Sequence, residues 1–265
     1  MPAGLKTRYE RDGFLSPIRI VDDAEAAQHR RALEAAEARV GPLHYKFKVH
    51  TILQSPMALA AHPAMLDVVE SLIGPDILLY SVAYIIKEPH TASHVSWHQD
   101  LTYWGLSSDA QVSAWLALSP ATAESGCMRM LPGSHRHGRR RHRLTEDDSN
   151  VLLGGQTVAN VDESAAQACE LQPGEASFHH GWTLHASMPN RSDDRRIGLN
   201  IQYIRPEVRQ TQHDLDSAML VRGVDEYRHF AQDLPPGGDL QPAALQRYAQ
   251  LERRMKAIQN PANKA

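Results

Sequence analysis

Ile77-Leu78-Leu79-Tyr80-Ser81-Val82-Ala83-Tyr84-Ile85-Ile86 decides the fold of this chain. The run is apolar and rich in β-branched and aromatic side chains, with Gly74-Pro75 in front and Glu88-Pro89 behind. It reads as a buried strand. Before it the texture is helical. Asp22 to Arg39 is rich in alanine, glutamate and arginine, with acids at its start and Gly41-Pro42 just past its end, which are helix start and stop signals. Met65, Leu66, Val68, Val69 and Leu72 recur at helical spacing from Pro63 to Leu72, where Gly74-Pro75 ends a second helix. After the run come short strand-like segments: His94 to His98, Gln111 to Leu118, Cys127 to Leu131, Cys169 to Leu171, Ala176 to His180 and Arg196 to Ile204. Turn residues such as Ser119-Pro120, Pro132-Gly133-Ser134, Gln172-Pro173-Gly174 and Pro189-Asn190 separate them. Many short strands punctuated in this way make a sandwich, a barrel or a double-sheet jelly roll. Leu240 to Ile258 returns to helix after Pro235-Pro236-Gly237-Gly238. The expectation is a mostly β fold with flanking helices in a single domain over 1–265. Its helical N-terminal part covers about 1–75, its β core about 76–206 and its helical C-terminal part about 207–265.

A chain of 265 residues can bury a sizeable core, and 42% hydrophobic residues, 22% charged residues and a formal charge of −3 describe an ordinary soluble globular protein. Nothing in that balance calls for nucleic acid. No window approaches the roughly 18 to 20 apolar residues of a membrane span, and the first residues carry no apolar leader, so the expected location is the cytosol. Cys127 and Cys169 form no CxxC, which indicates neither a disulfide framework nor a thiolate zinc site. A metal must then be held by histidine and carboxylate. The one strong charge anomaly is Arg136-His137-Gly138-Arg139-Arg140-Arg141-His142-Arg143, followed at once by Glu146, Asp147 and Asp148. It reads as a solvated loop with a partly self-neutralised field, or as an anion-binding lid within a stretch reaching Gln167.

His98-Gln99-Asp100 carries the chemistry. In an extended strand, residues two apart point to one side with their bases roughly 6 to 7 Å apart, so His98 and Asp100 can converge on one ion. With fifteen histidines and thirty-one acids in the chain, the tripeptide alone fits polar residues on an exposed strand equally well. His185 follows 87 positions later and Arg196 eleven beyond that, each beside a different expected strand. Two imidazoles and one carboxylate are a ligand set that holds one face of a non-haem iron(II) and leaves the other open. The planar guanidinium of Arg196 suits the distal acid of a dicarboxylate, and Ser187 offers a hydroxyl to the same group.

At these residues the chain resembles the phytanoyl-CoA dioxygenase family of iron(II)- and 2-oxoglutarate-dependent oxygenases. The likeness runs nearly end to end. It includes Tyr9-Glu10-Arg11-Asp12-Gly13-Phe14, Ser96-Trp97-His98-Gln99-Asp100, and Gly126 with Pro132-Gly133-Ser134-His135. It continues through Pro173-Gly174-Glu175 to His185 and Arg196-Ile197-Gly198-Leu199. The resemblance implies a double-stranded β-helix, a cupin-like jelly roll, in which His98, Asp100 and His185 bind iron(II). It also implies that Arg196 anchors the C5 carboxylate of 2-oxoglutarate with help from Ser187, and that Lys48 and Trp115 are further co-substrate contacts. O2 is then the second co-substrate, succinate and CO2 leave, and the substrate gains a hydroxyl. His179 and His180 lack an arginine at the family's spacing of eleven, so His185 is the expected distal ligand. Related halogenases carry Gly or Ala in place of the metal-binding carboxylate; this chain keeps Asp100, and hydroxylation is expected over halogenation. Gln99 is expected to point away as a spacer.

Trp97, Tyr103 and Trp104 flank the metal motif. Core packing suits Trp97, whereas Tyr103 and Trp104 are candidate substrate contacts, aromatic surfaces with polar handles. Arg129 is a candidate anion partner if the segment Cys127 to Leu131 aims it inward. The expected partner is a small molecule, not a nucleic acid or a membrane; substrate identity and oligomeric state are not readable from the chain. The competing readings are desaturation or cyclisation on the same scaffold, a zinc hydrolase with the same three ligands, and a non-catalytic jelly-roll binding module.

Overall fold

The strand Arg196–Ile204 shows how the fold is built. Ile197, Leu199, Ile201 and Tyr203 are fully buried in the largest apolar cluster, while Arg196, Asn200 and Gln202, offset by one residue, line a cavity on the other side. This is the period-two alternation of a strand with two different faces. The computed structural model describes residues 4–152 and 155–259.

Among the described residues the helices are α1 (Leu5–Asp12), α2 (Asp23–Val40), α3 (Gln54–Ala60), α4 (Pro63–Ile73) and α5 (Pro242–Gln259). The strands are β1 (Phe14–Arg19), β2 (Ile77–Lys87), β3 (Val95–His98), β4 (Gln111–Ala117), β5 (Met128–Met130), β6 (His142–Arg143) and β7 (Thr157–Val158). They continue with β8 (Gln167–Cys169), β9 (Glu175–His179), β10 (His185–Ser187), β11 (Arg196–Ile204), β12 (Ser217–Arg222) and β13 (Ala231–Gln232). A large sheet runs in the order β1-β9-β4-β11-β2-β12-β13, a smaller one in the order β3-β10-β5-β8, and β6 pairs with β7. Every pairing is antiparallel except that of β12 with β13.

Helices cover the outer face of the large sheet. Leu33 of α2, Leu59 of α3, and Met65 and Val69 of α4 pack with Leu79, Val82 and Tyr84 of β2 and with Phe178 of β9. Each fully buried aliphatic side chain there contributes about 1.5–3 kcal/mol. Asp22 caps α2 by accepting from Glu25 N at 2.8 Å, and Pro63 opens α4 at a position with no hydrogen bond to lose. The other face of the large sheet meets the smaller sheet. Trp115 and Ala117 of β4 pack there with Met128 and Met130 of β5, and the space left between the sheets is the cavity.

The expected helices and strands form within two residues of their predicted bounds, the largest slip being β8, which covers Gln167–Cys169 against an expected Cys169 to Leu171. The flanking parts are less purely helical than expected. Phe14–Arg19 joins the large sheet beside β9, and Ser217–Arg222 joins it beside β2. Both are six residues long, too short for periodicity to separate strand from helix. His185 is itself in a strand, β10, rather than just after one. Of the candidate lid stretch, residues 153 and 154 lie outside the described residues, as do 260–265 of the C-terminal part. No helix among the described residues is long and apolar enough to cross a membrane.

Candidate metal centre and co-substrate pocket

β3 ends at His98, Gln99 stays extended, and Asp100 opens a short 3-10 turn. That extended link keeps His98 and Asp100 on one side. β10 lies antiparallel to β3 with His185 opposite His98, and the two imidazole centroids are 4.0 Å apart. One ligand atom from each of His98, Asp100 and His185 falls within a common 4.8 Å. Asp100 Oδ1 is 3.5 Å from His98 Nε2 and 3.6 Å from His185 Nε2.

The far atom of each side chain fixes the near one. His98 Nδ1 donates to Ser96 O at 2.9 Å and His185 Nδ1 donates to Thr183 O at 3.0 Å. With Nδ1 protonated in both rings, the Nε2 lone pairs face the centre, which is how a metal-binding imidazole is usually oriented. Asp100 Oδ2 accepts from Ser113 Oγ at 2.8 Å and from His179 Nε2 at 3.1 Å, which frees Oδ1. Burial holds the His185 imidazole well below its ordinary pKa, and the neighbouring His98 and His179 push the same way. Burial opposes ionisation of Asp100, but the hydrogen bond from His179 and the His185 and His98 rings outweigh it and hold its carboxyl well below the usual range. A neutral His185 imidazole and an ionised Asp100 are protonation states that metal binding needs.

The cavity beside this centre has a volume of about 290 Å³ and is lined by His98, Asp100, His185, Ser187, Arg196 and Trp115 among others. Arg196 is 1% exposed. Its guanidinium lies 5.0 Å from the Trp115 ring centroid and donates through Nη1 to Gly126 O at 2.9 Å. Nε and Nη2 are buried without a partner. A buried guanidinium with two unused donors is costly unless an acid reaches it, so these residues fit the distal carboxylate of 2-oxoglutarate. Gly198 makes the arrangement possible: a Cβ there would stand 1.8 Å from Trp115 Cζ2. Gly198→Ala is therefore expected to lose about 1–3 kcal/mol of stability by overpacking and to shift Trp115, which thermal unfolding and tryptophan fluorescence would register.

Tyr103 and Trp104 also line the cavity, whereas Trp97 is buried in a separate apolar cluster and donates to Glu163 at 2.9 Å. Two of the expected site residues are elsewhere. Lys48 is fully buried, but its Nζ donates to Ser217 O at 2.6 Å and to Asp233 at 3.0 Å, so a C-terminal acid draws it away from the cavity. Arg129 points outward to Glu163 at 2.7 Å because Met128 and Met130 pair with Ser187 and His185 and take the inner face. Gln99 points away from the centre as expected, yet it does more than space the ligands. Its amide donates to Gly138 O and Trp182 O and accepts from Arg140 N, tying the basic loop to the metal motif. Asn200, Gln202 and Lys87 were not foreseen. Asn200 and Gln202 follow from the alternation of β11 starting at Arg196. Lys87 only becomes visible once β2 is paired with β11.

Antiparallel sheets enclosing a two-histidine, one-carboxylate centre beside a buried arginine that no carboxylate among the described residues meets are the arrangement of the iron(II)- and 2-oxoglutarate-dependent oxygenase class. The chain belongs to the phytanoyl-CoA dioxygenase family, whose model matches residues 9–198. It is similar to the solved non-heme monooxygenase ThoJ, with 36% identity and a TM-score of 0.84 over 96% of this chain and 97% of that one. It is 25% identical over 222 residues to the human peroxisomal phytanoyl-CoA dioxygenase, covering 74% of this chain and 66% of that one. It is likewise 25% identical over 231 residues to L-proline trans-4-hydroxylase of Streptomyces griseoviridis, covering 76% and 85%. The chain spans half of the Caenorhabditis elegans probable phytanoyl-CoA dioxygenase and two thirds of the human enzyme, against 85% of the proline hydroxylase.

Proposed function

We propose that this chain is a single-domain hydroxylase with a double-stranded β-helix core that oxidises an aliphatic carbon of a small molecule and releases succinate and CO2. The observation that carries the proposal is Arg196, fully buried in the cavity of the three metal-ligating side chains with Nε and Nη2 unpartnered. A zinc hydrolase built on the same ligands leaves that cation without a task.

Iron(II), held by His98, Asp100 and His185, would with 2-oxoglutarate and O2 supply the oxidising power for C–H hydroxylation. Arg196 pairs with the distal carboxylate, and the Trp115 ring packs against the guanidinium, its centroid 5.0 Å away. Ser187, two residues past His185 on β10, adds a hydroxyl on the same side of the cavity. Asp100 keeps its negative charge at neutral pH because the hydrogen bond from His179 and the His185 and His98 rings hold its carboxyl low, and its Oδ1 would fill a ligand position that a halide would need. Tyr103 and Trp104 form an aromatic wall for the substrate, and Val95, Met128 and Leu152 add apolar lining to the cavity.

Anaerobic titration of iron(II)-loaded protein with 2-oxoglutarate tests the assignment. A weak charge-transfer band in the visible supports it, and no band in folded protein favours the zinc reading. A small-molecule panel scored by succinate release above substrate-free turnover then finds the substrate. Trp104→Ala is expected to weaken substrate binding by about 2 kcal/mol or more with little change in 2-oxoglutarate binding; equal losses for both ligands would remove Trp104 from the substrate wall.

A further inference from the structure

Two buried basic side chains, Arg196 in the cavity lining and Lys87 paired with it, stand where the proposed co-substrate site needs one. Lys87, the last residue of β2, is the Cα partner of Arg196 across the β2–β11 pair. Cross-strand partners project from the same face with Cβ atoms about 4.5–5.5 Å apart. Lys87 is 2% exposed and Arg196 1%, and no carboxylate contributes to the electrostatic surroundings of either. Lys87 Nζ donates to Ser187 Oγ at 2.7 Å and to Met188 O. A serine that accepts from a lysine keeps its own O–H free to donate, and Ser187 lines the same cavity as Arg196.

We propose that Lys87 is a positioning residue for the co-substrate's distal carboxylate: it acts through Ser187, completes a two-cation anchor with Arg196, and makes 2-oxoglutarate bind together with a proton. The inference rests on the co-substrate reading of this pocket. Burial, and after it the charge of Arg196, pushes the Lys87 amine down to about 6, with Cys127 the one group acting the other way. The groups facing it are therefore Arg196 from β11, Cys127 from the turn before β5, and Ser187 with Met188 O at the end of β10. At pH 8 the amine of the ligand-free protein is neutral. An arriving carboxylate favours the charged form and raises the pKa, so Lys87 takes a proton from solvent on binding. Protons are taken up above about pH 6, and affinity for 2-oxoglutarate falls by up to about tenfold per pH unit as pH rises from there.

Calorimetric titration of anaerobic, iron(II)-loaded protein with 2-oxoglutarate at pH 8, in two buffers of different ionisation enthalpy, counts that proton. Uptake approaching one proton per site is expected in the wild type and close to none in Lys87→Met, with 2-oxoglutarate bound about 10- to 100-fold more weakly by the variant. 2-Oxobutyrate, which lacks the distal carboxylate, is expected to bind both proteins alike without uptake. No uptake in the wild type, equal uptake in Lys87→Met, or equal weakening of both oxo acids would overturn the role of Lys87; the wild-type measurement needs no variant to fold. Arg196→Met separates the two levels. If it binds 2-oxoglutarate like the wild type, the co-substrate reading itself fails, whereas a loss there with Lys87→Met unchanged removes Lys87 alone.

Discussion

Asp100→Ala is expected to abolish substrate-dependent succinate formation in a protein that still folds. Asp100 Oδ1 stands 3.5 and 3.6 Å from the two imidazole Nε2 atoms, so the substitution leaves a two-ligand centre. Removing a group that merely supports a ligand costs about 10- to 100-fold in metal affinity, and removing the ligand itself should exceed that. The supporting group is present for comparison. His179 touches Asp100 Oδ2 at 3.1 Å, so His179→Ala is expected to fall in the 10- to 100-fold range while Asp100→Ala falls below it. The fold should survive, because the substitution strands the Ser113 hydroxyl and His179 Nε2 at a cost of about 1–3 kcal/mol but also removes a buried charge. Anaerobic iron(II) titration, circular dichroism and succinate release measure the three quantities separately. Turnover intact in Asp100→Ala would remove this residue from the centre.

The metal centre was legible because strand geometry is local. His98 and Asp100 are two residues apart on an extended segment, and the chain needs no long-range information to aim them together. The β core was legible for a similar reason: β2, β4 and β11 are long enough for apolar runs and turn residues to mark their ends. What stayed hidden depends on register. Arg129 sits on a three-residue strand, and only its pairing with β10 shows that Met128 and Met130, rather than Arg129, share a face with Ser187 and His185. Lys87 closes an apolar run that ends at a Glu-Pro turn, where a lysine normally reaches solvent along its own stem; the pairing of β2 with β11 buries it beside Arg196 instead. Lys48 is inside as a co-substrate contact would be, but Asp233, 185 residues away in sequence, decides which way it points.

Arg196→Met is expected to produce an enzyme that is no less stable without ligand and yet nearly blind to 2-oxoglutarate. Burial lowers the guanidinium from its ordinary value to about 10, which states that the charged form is paid for by the rest of the fold. Methionine removes that desolvation cost, fills a similar volume, and forfeits one hydrogen bond to Gly126 O, so the unfolding temperature of the free protein should hold or rise. Binding moves the other way. Truncating one partner of a buried, hydrogen-bonded charge pair costs about 2–5 kcal/mol, a factor of roughly 30 or more in affinity. Arg196→Lys should recover little of it, because an ammonium offers no planar fork to a carboxylate. Thermal shift resolves both halves at once: 2-oxoglutarate stabilises the wild type in proportion to the logarithm of its saturation, and the same concentrations should leave Arg196→Met unmoved. A variant that is destabilised when free but shifted normally by 2-oxoglutarate would make Arg196 a structural residue, and the pocket's claim to a dicarboxylate would go with it.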